Sequence, residues 1–460
     1  MKHMQKNKIR ILSITAILLL SVVFILPVSA DSMENTDSPI FSVPGKTIII
    51  DPQAAAMRNA DSAIDYGPLH IPEIVIASSN AMKNSQTRST TSEIYDLATF
   101  NNLIPVRSDT VSMPITLYGQ AYTMNLVKTN YDDLGNDGRD SYRGTLSGIL
   151  DSVVHFTVTD QNLLYGNIRF GNESIVIYPV QNREYTARTA MQLHVVYSEK
   201  DLLQPSEPIP FCGVDDTISA HLTDIELDKS VTRAGEYDWA YVDLFIVTDK
   251  DFYDLEADWI ACASDFLGEA NYQFQRDDIK VVLRASYLDS VSTMIELSND
   301  PRSVTHPFAL VVDKYPYDYP NDYLNVAHKD ICVYLGGKDA NMAPPNQYAQ
   351  GMSGVPGRHT WSQMVADSNS FDIYYNGDRK SRIYNFIHEI GHIFLATHEL
   401  SHEWWDGIPP FRHMTVMSGM YLGDTTQWDF SSSVPAYNGD ATHDNALVIR
   451  GYKHNVAAHA

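Results

Sequence analysis

Two histidines with a glutamate beside the first are the residues whose spacing could do chemistry. They are His388, Glu389 and His392, in the run HEIGHIFLATHE from His388 to Glu399. Four positions are about one helical turn, so both imidazoles project from one face of a helix. Two imidazoles so placed can hold a metal ion. The glutamate is then placed to act on a water that the metal activates. With a third protein ligand and an open position, such a centre is catalytic rather than structural.

Spacing alone leaves the third ligand open. His398 lies six residues after His392. On a straight helix that is about 9 Å along the axis, at ~1.5 Å per residue. The helix must therefore break if His398 is to join the site. His402, Glu403 and Asp406 follow closely and are alternatives. The surrounding pattern supports a helix. Ile383, Ile387, Ile390 and Phe394 recur at near-helical period and would bury one stripe. Asp378, after Gly377, is the expected N-cap. The histidines then fall at the border of core and cleft, which favours a metal site over an inert helical face.

Downstream runs HMTVMSGMY, from His413 to Tyr421. With the histidine run, it resembles the metzincin peptidases. They carry HExxHxxGxxH, in which a glycine turns the chain back under the metal, and a tight methionine turn beneath it. The resemblance implies His388, His392 and His398 as zinc ligands, Glu389 as the catalytic base and Met417 in the turn. Met414 and Met420 fit that turn less well. Tyr421 resembles a tyrosine at this offset in some metzincins. One residue departs from the pattern: Leu395 stands in the glycine's place. A left-handed leucine costs about 1–2 kcal/mol, a small sum beside the ~10–16 kcal/mol of a structural zinc site. Glu399 takes the place of an acidic residue in reprolysins, where it supports the turn or lies exposed.

Upstream, from Tyr142 to Val180 and on through MQLHVVYSEKDLL, apolar and polar residues alternate between Gly- and Asn-rich turns. This predicts consecutive antiparallel strands. Pro205, Pro208 and Pro210 then mark a linker. The strand run, closing on His194–Tyr197 and followed by PFCGV at 210–214, resembles the propeptide of reprolysin and ADAM-type peptidases. In that family the cysteine of CGV caps the zinc, and a thiolate is a strong zinc ligand. The resemblance implies that Cys212 is a cysteine switch and that the propeptide inhibits its own enzyme.

The texture changes near Glu236. A strongly apolar strand, Val242–Val247, precedes a helical pattern carrying Trp259, Cys262, Phe266 and Ala270 on one face, and Ile279–Leu283 is another strand. Strand, helix and strand suggest a parallel βαβ unit. Asp330–Leu335 is a further strand, and Thr442–His454 is expected to close the domain as a helix. The Gly-rich run GMSGVPGRHTWSQMVADS resembles the region that gives the reprolysin sheet its edge strand. Trp361, Ser362, Gln363, Met364 and Val365 are the expected edge, able to pair with an extended substrate.

The 460 residues open on a basic stretch (Lys2, Lys6, Lys8, Arg10), an apolar run from Ile11 to Leu26 and Val28-Ser29-Ala30. That is the form of a secretory signal peptide over 1–30. A net charge of -24 excludes a polyanionic partner such as nucleic acid. No later segment is apolar enough to span a membrane. Of three cysteines, Cys262 and Cys332 are either a disulfide pair or two buried thiols. The expected fold class is α/β (α+β): a metzincin-like catalytic domain at 236–460 with a twisted mixed sheet and an active-site helix. A β-rich propeptide at 31–235 precedes it. Arg233 is the basic candidate for processing between them, and autolysis elsewhere is the alternative. The resemblance implies a secreted, extracellular zinc endopeptidase, made latent and acting on protein or peptide substrates. One Zn2+ is the expected cofactor, and the sequence does not indicate Ca2+. The rivals are a zinc peptidase with a different third ligand and an inactive metzincin scaffold used for binding.

Overall fold

Two sheets sandwich one long helix. In the computed structural model the described residues are 70–71, 96–100, 109–117, 120–131, 137–161, 163–179, 193–199, 209–210, 212, 238–256, 258–287, 295, 307–337, 350–355, 357–365, 379–406, 411–421, 427–434 and 438–459. All of them lie in one unit, Ser42–Ala460. The expected signal segment, Asp378 and Arg233 lie outside the described residues.

The first sheet has nine strands: β1 (His70–Ile71), β2 (Asp96–Phe100), β3 (Thr110–Leu117), β4 (Gln120–Lys128), β5 (Arg139–Leu146), β6 (Val153–Thr159), β7 (Leu164–Phe170), β8 (Glu173–Pro179) and β9 (Leu193–Ser198). Their order is β1-β2-β9-β8-β7-β6-β5-β4-β3, antiparallel throughout. Short turns join β3 to β4, β5 to β6, β6 to β7 and β7 to β8, and such turns join only antiparallel neighbours, while β2 pairs with the distant β9. Met124, Leu126, Tyr142, Val154, Phe156 and Ile168 form part of its apolar core.

A two-residue strand, β10 (Ile209–Pro210), precedes the second sheet. That sheet contains β11 (Ala240–Thr248), β12 (Val281–Tyr287), β13 (Ile331–Gly336), β14 (Gly351–Ser353) and β15 (His359–Gln363), in the order β12-β11-β13-β15-β14. The first four in that order run parallel, and β14 runs antiparallel to β15. Central parallel strands are covered on both faces, so β13 is buried at every residue. Helix α1 (Lys250–Leu255) starts at Asp249, whose carboxylate accepts from Phe252 N–H at 2.7 Å. Helix α2 (Trp259–Arg276) joins β11 to β12 and is capped by Asp258. Helices α3 (Pro307–Lys314) and α4 (Tyr323–Val326) lead to β13, and Val311 and Leu324 pack on Cys332 and Trp361.

Helix α5 (Arg379–Ile393) crosses β14 and β15 and meets α2. A polar face toward solvent is the usual state of a helix with this composition. Here all 15 residues are buried, Arg379 and Arg382 included. The reason is charge pairing. Arg379 makes a two-pronged contact with Asp265 of α2, at 2.7 and 2.8 Å, and reaches Glu269 at 3.0 Å. Arg382 donates to Glu256 at 2.7 Å and to Tyr178 of β8 at 3.2 Å. Burial pushes the Glu269 carboxyl up, but Arg169 and Arg379 outweigh it and hold it at about 2. Buried charges are tolerated only when paired and hydrogen-bonded in this way.

The expected edge strand is corrected. Trp361, Ser362 and Gln363 lie in β15, between β13 and β14, and Met364 and Val365 follow it. The edge is β14. An interior strand is covered from both sides, so all five residues of β15 are buried although only Trp361 is large and apolar. No disulfide joins the three cysteines, and Cys262 and Cys332 are buried thiols. The chain continues through β16 (Glu403–Asp406), β17 (Phe411–Met414) and β18 (Met420–Tyr421) to α6 (Asn445–Val456). Among the described residues no helix is long and apolar enough to cross a membrane.

Candidate metal centre

His388 and His392 lie one turn apart on α5, and their Nε2 atoms are 3.0 Å apart. His398 Nε2 lies 3.2 Å from the first and 3.1 Å from the second. The chain returns His398 through a helix-ending turn. Ala396 N–H donates to Gly391 O at 3.1 Å and Leu395 N–H to His392 O at 2.9 Å. This is the paired bonding of a Schellman cap, which needs a left-handed residue after the helix. Leu395 supplies it at φ 66°.

Leucine carries that strain because its side chain is 1% exposed. Full burial of a leucine is worth about 1.5–3 kcal/mol, against about 1–2 kcal/mol for the left-handed backbone. Two substitutions separate these effects. Leu395→Gly relieves the strain but empties the pocket, and should destabilise by ~1–3 kcal/mol. Leu395→Ala empties the pocket and keeps the strain, and should cost ~2–5 kcal/mol. Urea unfolding that ranks glycine above leucine would refute this account.

The rings are aimed by backbone carbonyls. His388 Nδ1–H donates to Val416 O at 2.7 Å, and His392 Nδ1–H donates to Ala396 O at 2.8 Å. A carbonyl can only accept, so the proton of each neutral ring sits on Nδ1 and Nε2 presents a lone pair. Burial drives both imidazoles well below their ordinary range, with His398 adding to the effect. The edge between His388 and His392 therefore sets lone pair against lone pair. A cation among the three nitrogens removes that repulsion. Tetrahedral zinc at ~2.0–2.1 Å from each would space them by about 3.3 Å. The donor set thus fits zinc closely.

Cys212 brings a fourth donor. Its Sγ is 3.3 Å from His392 Nε2, and the four ligand atoms lie within 4.8 Å of one another. Its segment is held on both sides by backbone. Ile209 and Pro210 pair with Tyr421 and Met420, and Cys212 bridges Gly351 of the edge strand in parallel.

Glu389 is buried beside these groups. Ser353 Oγ, on β14, is 2.7 Å from its Oε2 and 2.7 Å from its carbonyl oxygen. Burial raises the Glu389 carboxyl to about 8, against hydrogen bonds from Ser353 and Cys212 that lower it. Gly351 is required here: a Cβ would lie 2.2 Å from Glu389 Oε1 and 2.6 Å from Asn385 Oδ1. Gly391, inside the histidine motif, has a matching role, since a Cβ there would lie 2.5 Å from Met417 Sδ. Met417 is buried in a turn closed by Ser418 N–H on Thr415 O at 3.0 Å, beneath the histidines. Glu399 is exposed. Ser353, Gly351 and the carbonyls of Val416 and Ala396 escaped sequence reasoning. Only the Gly-rich run around Gly351 gave a signal, and it did not single out the serine.

The chain matches no protein-family profile and no curated protein. Among solved structures it is similar to metalloproteinase-II from Bacteroides fragilis, with 11% identity, 71% of this chain and 90% of that chain covered, and a TM-score of 0.41. It is also similar to an archaemetzincin from Methanopyrus kandleri, with 12% identity, 46% and 88% coverage, and a TM-score of 0.23. The chemistry is therefore read from this chain's own side chains.

Proposed function

We propose that this chain is a zinc-dependent endopeptidase of metzincin type, similar to the reprolysin group, secreted as a latent precursor. One observation carries the reading. Three imidazole Nε2 atoms lie 3.0–3.2 Å apart, two of them with Nδ1–H tied back to carbonyls, beside a buried glutamate. His388, His392 and His398 would hold the ion. Zinc, when bound, lowers the pKa of a water and polarises a carbonyl. Glu389 takes the proton of the attacking water and passes it to the departing amine. Ser353 holds the Glu389 carboxyl in place. The edge strand β14 offers backbone groups to an extended peptide.

Latency rests on Cys212. A thiolate is a strong zinc ligand, and the Cys212 segment lies in the cleft between β14 and β18. In this reading the nine-stranded sheet and the Cys212 segment belong to the propeptide, and cleavage between Cys212 and β11 frees the cleft. The test is chelation of the processed protein. Hydrolysis of a protein substrate should stop and return on adding zinc, and His392→Ala should lose both metal and activity. Full activity in metal-free protein would overturn the proposal.

A further inference from the structure

A second cluster lies on the far side of the loop that carries His398. His402, Asp440 and His443 each place a ligand atom within 4.8 Å of the other two. We propose that these three residues form a second zinc site, which clamps the 397–402 loop to the turn before α6.

The donors come from two segments well separated in sequence, and each is already fixed. His402 is held to the methionine-turn strand through its backbone: its N–H donates to Thr415 Oγ1 at 2.9 Å, and its carbonyl accepts from Thr415 N–H at 3.0 Å. Its ring stacks on Trp404 at 5.9 Å and faces His443 at 5.4 Å. Asp440 and His443 close a turn by pairing their backbones. Thr442 donates from its N–H and its hydroxyl to Asp440 Oδ1, both at 2.7 Å, and His443 Nδ1 lies 2.8 Å from the same oxygen. Those bonds hold the Asp440 carboxyl well below the usual range, the Thr442 hydroxyl first among them.

Two imidazoles and one carboxylate suit a borderline d-block ion such as zinc, whereas calcium and magnesium prefer oxygen ligands throughout. The cluster is half open, so water can complete the coordination. Its position gives it a purpose. The same turn is latched to the loop at its other end, where Thr397 N–H donates to Asn445 Oδ1 at 2.9 Å and Asn445 Nδ2 donates to Thr397 O at 3.0 Å. Ser431 Oγ also donates to Leu400 O. His398 lies between the anchored Thr397 and Leu400, and His402 follows them. A metal joining His402 to the turn would add a side-chain tie at the end of the loop that its backbone bonds to Thr415 already hold.

The test is zinc stoichiometry on the full chain after equilibrium dialysis against micromolar zinc chloride, read by atomic emission. The unaltered protein should hold two zinc ions and His443→Gln one. Asp440→Asn, which preserves the Thr442 turn, should also reduce the count. His388→Ala with His392→Ala should leave one ion, and adding His443→Gln should leave none. A ratio of one in the unaltered protein, unchanged by His443→Gln, would overturn the second site and leave the first intact. Should the double-histidine variant not fold, the comparison of the unaltered protein with His443→Gln decides alone, because His443 and Asp440 are surface residues. Loss of the first zinc with retention of a zinc dependent on His443 would instead separate this site from the catalytic reading.

Discussion

Glu389→Gln is expected to lower kcat/KM of the processed enzyme by about 10²–10⁴-fold, the usual contribution of a general base. Its zinc content should stay unchanged. Glutamine has nearly the shape of glutamate, so Ser353 and Gly351 can still pack against it. It cannot take a proton from water, and that is the step removed. The same substitution has a second consequence in the uncleaved, chelated chain. Burial raises the Glu389 carboxyl from 4.5 to about 8. An acid with a raised folded-state pKa binds its proton more tightly when folded. Its contribution is therefore fully present below the unfolded value of 4.5 and is lost as pH rises through about 8. Glutamine cannot titrate, so stability between those limits should depend less on pH. Equal pH dependence in the two proteins would contradict the buried carboxyl. Unchanged turnover would contradict its catalytic role.

The parts legible in sequence were those encoded locally. The histidine spacing placed two rings on one helix face, and the missing glycine drew attention to Leu395, which is left-handed at φ 66°. The strand-helix-strand unit appears as β11, α2 and β12, because apolar runs and helical spacing are short-range signals. What failed was long-range. Nothing local marks Arg379 and Arg382 as buried, because their partners Asp265, Glu269 and Glu256 lie more than a hundred residues away in the chain. The edge strand failed for a related reason. β14 is three residues long and begins with Gly351, so it has no period to detect. The expectation at Trp361 rests on a family resemblance, whereas strand order depends on the whole sheet. Ser353 was missed because a lone serine acquires meaning only when α5 brings Glu389 to 2.7 Å from it.

Cys212→Ser is the second large effect expected, and it separates two ways of holding the cleft shut. The first is a zinc–thiolate bond, since Cys212 Sγ stands 3.3 Å from His392 Nε2. The second is backbone pairing of Ile209 and Pro210 with β18 and of Cys212 with Gly351. Serine keeps the backbone and loses the thiolate, because its hydroxyl stays protonated and binds zinc weakly. If the thiolate dominates, the uncleaved precursor should gain at least about tenfold in activity, equivalent to ~1.4 kcal/mol of barrier. The gain should fall short of full processed activity, because the segment still occupies the cleft. Cys332→Ser is the matched control: that thiol is buried between β11 and β15 and should leave latency alone. Equal latency in Cys212→Ser and the native precursor would assign inhibition to strand pairing. The cysteine would then be a bystander near three imidazoles, and activation would depend on cutting the chain rather than on releasing a ligand.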